Sequence, residues 1–121
     1  MARLAAKAAA RGARPDVVWH SGKLRARQTA EAFWRACNAL ADFSSTRDLQ
    51  PEDSPGWIQD RLRGETRDIL IAGHFPFLPR LLALLLHAPD PGTLTFPKHG
   101  IVALETADEG KTWAELWRIE I

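Results

Sequence analysis

Two side chains in this 121-residue chain are best suited to chemistry on an anion, and each stands just past a short apolar run. In "HSGKLRARQTAEAF", Arg25 falls in the opening turn of a segment with helical period. In "ILIAGHFPFL", His74 closes a second apolar run and stands two residues before Pro76, where proline is favoured at the first position of a helix. A guanidinium is planar, always charged and able to bond two phosphate oxygens at once. An imidazole donates a hydrogen bond or passes a proton near neutral pH. A helix N-terminus adds free N–H groups and the positive end of the helix dipole. Together these parts suit a phosphate.

Such residues need elements to hold them, and the pattern supplies an alternation of helices and strands. "DVVWHS" has the length and β-branched content of a strand. From Lys23 to Leu40 the positions Ala26, Ala30, Phe33, Cys37 and Leu40 draw one apolar helical face, which makes Cys37 a core residue rather than a nucleophile. "DFSSTRDLQPEDSPG" has no period and reads as a long connection. "WIQDRLRG" is a short helix stopped by Gly64, "RDILIAGH" a buried strand, and Pro76 to Ala88 a mostly apolar helix that "PDPG" ends. "HGIVALETADEGKTWAELWRIEI" reads as a hairpin turning at Asp108, Glu109 and Gly110, with Trp113 and Trp117 four apart and so on one face. The opening "MARLAAKAAARGAR" is a helix with Leu4 and Ala8 inward, a solvated stripe of Arg3, Lys7 and Arg11, and a stop at Gly12. Two strands each followed by a helix imply parallel pairing, helices on both faces and a ligand crevice at the carboxyl ends of the strands. The expectation is a single α/β domain over residues 1–121, a three-layer α/β/α arrangement around a mixed, mostly parallel sheet.

Bulk properties narrow the partners. Sixteen Lys and Arg against fifteen Asp and Glu leave a net charge of +1, so no overall field draws the chain to nucleic acid or to an anionic membrane. The longest apolar stretch, Phe75 to Ala88, is shorter than the roughly 20 residues of a spanning helix. One cysteine excludes an internal disulfide framework and fits a reducing, cytoplasmic setting. The chain has no Walker, dinucleotide, HExxH or paired-cysteine pattern, so neither cofactor nor metal is expected. His20 is expected to pack on the strand face opposite Trp19 and Ser21, and His87 and His99 to be structural. Ser21 reads as a residue that either orients the turn or caps the helix that follows it, with capping the expected role.

On these residues the chain resembles the histidine phosphatase superfamily, the phosphoglycerate-mutase-like proteins, and most closely the small SixA-type phosphohistidine phosphatases. "HSGKLRARQTAEAF" resembles their S-P-x-x-R-A-x-Q-T-A segment and "ILIAGHFPFL" their G-H-x-P segment, in the same order and at similar spacing. The resemblance extends through "LQPEDSPGWIQDRL" and "HGIVALE". It implies that Arg25 binds phosphate and that His74 binds phosphate and acts in catalysis. Minor roles fall on Ser21 and on Asp53, which with Glu52 lies where relatives often bring an acidic residue to the leaving group. The implied partner is a phosphorylated substrate, either a phosphohistidine protein or a small phosphate ester, hydrolysed through a phosphohistidine intermediate. Where the family commonly has proline after the serine, this chain has Gly22.

The departure that bears on chemistry is the lack of an R-H-G segment, which in the family ends the first strand and supplies the nucleophilic histidine. The opening residues resemble the family's first helix instead, so Met1 is expected to be an internal methionine behind a mis-called start or in a truncated gene, or else the chain has shed its nucleophile. In the family's sheet the strand in question lies between those corresponding to "DILIAG" and "GIVALE". The fold is therefore expected to be N-terminally incomplete, with a gap at that place, and the chain as numbered to be inactive. The alternative reading is a non-catalytic module that binds phosphate or a phosphoprotein.

Overall fold

The structure, a computed structural model, describes residues 1–87 and 96–121. Its elements in chain order are α1 (Ala2–Ala10), β1 (Val17–His20), α2 (Leu24–Cys37), β2 (Asp42–Ser45), α3 (Pro55–Leu62), β3 (Ile69–Ala72), α4 (Phe77–Leu85), β4 (Gly100–Glu105) and β5 (Ala114–Glu120). The break expected at Pro89 to Gly92 lies outside the described residues, as does Ala88.

The four residues of β1 are buried on both faces, as a central parallel strand requires. Val17 and Trp19 enter a cluster with Leu49, Ile58 and Leu62 and with Phe77, Leu81 and Leu85 of α4. Val18 faces the other way, onto Ala30 of α2, Ala41 and Ala72. On that second side α1 and α2 also pack together through Leu4, Ala5, Ala8, Phe33 and Cys37. Helices α3 and α4 thus cover one face and α1 and α2 the other, the expected three layers. Leu4 and Ala8 point inward as the pattern of α1 requires, and Cys37 is buried in the core, where burial pushes its thiol pKa up. Gly12, with φ +88, carries the backbone out of α1 in the left-handed region that a residue with a Cβ avoids.

The sheet is in two parts. β1 pairs in parallel with β2 on one side and β3 on the other, and β4 and β5 form a separate antiparallel hairpin. No ladder joins β3 to β4 among the described residues. The two parts nevertheless share both hydrophobic layers. Ile69, Ile71, Leu104 and Trp113 pack on the α3/α4 side, and Leu70, Ile101, Trp117 and Ile119 on the other. The hairpin is therefore joined to the parallel part by these side-chain layers and by one backbone bond, Gly64 N donating to the Glu109 carbonyl at 2.8 Å, and the strands that face each other across the break are apolar and half-buried.

Three expectations are corrected. Residues Asp42–Ser45 form a strand where a loop was expected. Three of the four are exposed and only Phe43 is half-buried, so this edge strand lacks an apolar run and its ladder to β1 holds it. Helix α2 ends at Cys37 rather than Leu40. Asn38 turns the chain out of it, the side chain accepting from Leu40 N and donating to Pro15 O, which leaves Leu40 89% exposed. Trp113 and Trp117 lie on opposite faces. Ala103 pairs with Trp117 but Leu104 with Glu115, so Leu116 is an extra residue that reverses the alternation.

Phe77 is fully buried at the first turn of α4, against the strand residues that aim the candidate site. Phe77→Ala is expected to cost about 3–5 kcal/mol in denaturant unfolding, whereas Leu40→Ala should stay within about 0.5 kcal/mol of wild type.

Candidate functional site

In the parallel register His20 stands beside Ala72, so the chain leaves β1 and β3 at the same level of the sheet. One residue beyond β1 is Ser21, and two beyond β3 is His74. Ser21 Oγ and His74 Nε2 are 2.6 Å apart and share a hydrogen bond whose donor depends on the imidazole tautomer. Ser21 is buried, and its hydroxyl oxygen also accepts from Lys23 N at 3.3 Å, a local turn that carries the chain into α2. The expected capping role for Ser21 is not what the structure shows. Lys23 holds the N-cap position of α2, with no side-chain capping bond, and the serine takes the other role open to it, orienting the turn before the helix and fastening it to His74. Helix α4 starts one residue later than Pro76, and the His74 carbonyl accepts from Leu78 N at 2.9 Å, which ties the histidine to that helix.

Arg25 occupies the first turn of α2, four residues after Ser21, and is exposed. The ordinary use for such a residue would be an ion pair with Glu31, but Glu31 is taken by Arg27 at 3.2 Å and Arg35 at 4.0 Å. Among the described residues the Arg25 guanidinium has neither a hydrogen bond nor an ion pair. Asp53 is engaged elsewhere. Its carboxylate accepts from Gln50 N at 2.9 Å and closes the loop after Leu49. Glu52 pairs with Arg80 of α4 at 3.7 Å on the surface.

Two residues join the site that sequence reasoning did not single out. Gln50 donates through its side-chain nitrogen to the Ser21 carbonyl at 2.8 Å and so brings the acidic loop against the turn. Its segment has no periodicity from which this could be read. Lys23 lies close enough to act on His74 electrostatically, and its place in the same turn as Arg25 was a usable signal. Burial lowers the pKa of His74, and the positive charge of Lys23 lowers it further. Both effects favour the neutral imidazole. His20 packs as expected, buried against the Phe43 ring at 4.9 Å, with Gly22 N donating to its Nδ1 at 3.0 Å. No group of three or more His, Cys, Asp or Glu side chains among the described residues is placed to hold a metal ion. No helix among them is long and apolar enough to cross a membrane.

No protein-family model matches the sequence, and a search of curated proteins gives no match. Solved structures do match. The protein histidine phosphatase SixA, in a complex with tungstate, superposes with a TM-score of 0.83 at 23% identity, over 98% of this chain and 77% of that one. The chain has the phosphoglycerate-mutase-like fold. An Agrobacterium tumefaciens protein described as a phosphohistidine phosphatase SixA shares this fold with a TM-score of 0.79 at 22% identity, over 99% of this chain and 77% of that one. Phosphoglycerate mutase from Plasmodium falciparum shares the phosphoglycerate-mutase-like fold with a TM-score of 0.71 at 16% identity, over 96% and 80% of the two chains.

The lowered pKa of His74, with that of His20 lowered first by burial and then by Arg27, fixes a sign for stability. Both rings are held neutral in the fold, so their contribution is present above the ordinary histidine pKa of about 6.5 and is lost as pH falls through the lower folded values. Unfolding free energy should therefore decline on acidification below about pH 6.5. By NMR titration Lys23→Gln should raise the pKa of His74, and an unchanged value would contradict the assignment.

Proposed function

We propose that these residues form the phosphate-binding part of a phosphatase that hydrolyses phosphohistidine or a small phosphate monoester through a phosphohistidine intermediate. Arg25 would grip two oxygens of the phosphoryl group, and His74 would donate to a third and carry a proton to or from the leaving group. The attacking nitrogen would come from a histidine at the end of an additional strand paired between β3 and β4. Neither Arg25 nor His74 replaces it, since covalent phosphoryl transfer needs a nucleophile in line with phosphorus.

One observation carries this reading. An arginine with no protein partner among the described residues stands on the first turn of α2, beside the turn in which Ser21 and His74 meet at 2.6 Å. The fold shared with SixA in its tungstate complex supports an oxyanion as the ligand. The apolar, half-buried strands that bound the space between β3 and β4 support a strand there. Without that strand the 121 residues would bind phosphate and not turn it over, and would act in that form as a phosphate- or phosphoprotein-binding module. The absence of disulfides suits action in the cytoplasm.

Calorimetry with phosphate or tungstate should give saturable binding by the chain as it stands, lost in Arg25→Ala. Hydrolysis of p-nitrophenyl phosphate should be negligible with this chain and measurable with one carrying an additional strand that ends in arginine-histidine-glycine. Equal, substantial turnover by both would refute the proposal, as would binding that Arg25→Ala leaves unchanged.

A further inference from the structure

A polar cleft of about 300 Å³ opens beside the ends of β1 and β2 and is lined by His20, Gly22, Arg27, Phe43, Ser44 and Ser45. None of these residues takes part in the Ser21–His74 contact. The turn at Gly22, φ +87, folds its N–H back onto His20 Nδ1 at 3.0 Å. That nitrogen accepts, so it carries no hydrogen, and the proton of the neutral ring is on Nε2. A proline at position 22 would have no N–H with which to fix this tautomer.

Nε2 bonds no described protein group. No sealed side-chain nitrogen or oxygen among the described residues lacks a partner, so Nε2 is open rather than buried. Phe43 packs on the ring and holds its plane. Arg27 is turned in a particular way: Glu31 accepts from its Nε at 3.2 Å, and its two terminal nitrogens have no partner among the described residues. A guanidinium offers only donors, the ring nitrogen is a donor, and the Ser45 hydroxyl can donate. No carboxylate lines the cleft.

We infer that this cleft is a second binding site, for an anionic oxygen group, held by His20 Nε2–H, the terminal nitrogens of Arg27 and the hydroxyl of Ser45, which pairs with His20 in the β1–β2 register and so shares its face. The group is a carboxylate or a phosphate, which share these acceptor oxygens. Burial and the Arg27 charge, opposed by Glu31, lower the pKa of His20 and keep it in the single-proton form the site uses. The inference stands apart from the proposed role of Arg25, and its test is made in a chain where that role is removed.

In Arg25→Ala, the His20 imidazole resonances are followed by NMR during separate titrations with inorganic phosphate and with acetate. A saturable His20 shift with either anion is expected, and which anion produces it identifies the group. Adding Arg27→Ala, a change at a side chain 61% exposed, should weaken that binding about tenfold or more, because a charged donor is lost. Ser45→Ala, at an exposed residue, should weaken it as well. No His20 shift with either anion would overturn the inference, as would a shift of the same affinity after Arg27 is replaced. Loss of phosphate binding at the first site in Arg25→Ala leaves this result unaffected, so the two readings can fail separately.

Discussion

The parallel register between β1 and β3 is the constraint on which the site depends. Pairing His20 with Ala72 brings two chain segments, separated by more than fifty residues in sequence, out of the sheet at one level. A slip by one residue would turn Trp19 and His20 to the wrong faces and move Ser21 away from His74. The two faces forbid that slip. Val17 and Trp19 must meet α3 and α4, while Val18 must meet α2. Packing on both sides of a four-residue strand thus fixes a polar contact at its end.

Successive residues leave the same strand end on different sides, which separates the Ser21–His74 contact from the cleft at His20. Ser21 goes toward β3 and His74, whereas His20 goes toward β2 and Phe43. The turn through Gly22 bonds to both: its own N–H reaches His20, and the next N–H, of Lys23, reaches Ser21. Each side chain is thereby oriented in part by backbone, alongside His74 for Ser21 and Phe43 for His20. The two arginines that follow, Arg25 and Arg27, rise from one helix and differ in their partners. Glu31 fixes Arg27, and the Arg25 guanidinium has no hydrogen bond or ion pair among the described residues.

Much of this arrangement was legible in the sequence. The apolar period of α2 marked Ala26, Ala30, Phe33 and Cys37, all of them buried, and the run "ILIA" marked β3. Arg25 and His74 were placed correctly on a first helical turn and past a strand end, because both positions follow from local pattern. What was illegible depended on tertiary pairing. Strand β2 has one half-buried apolar residue among Asp, Ser and Ser, and exists because β1 offers it a ladder. The faces of Trp113 and Trp117 depend on a bulge at Leu116 that no periodicity announces. Ser21 stands where a capping residue is expected, but Gly22 and Lys23 displace it from the helix, and its hydroxyl is drawn to a histidine distant in sequence. The contact from Gln50 to the Ser21 carbonyl arises in a loop without pattern.

The central claim is that a guanidinium from the start of α2 and an imidazole from the end of β3 close on one oxyanion. A crystal structure with tungstate bound, located by its anomalous scattering, tests this most directly. The account requires the metal-centred anion within hydrogen-bonding distance of both the Arg25 guanidinium and the His74 ring. Tungstate seated away from this pair, or bound to only one member with the other facing outward, would contradict it.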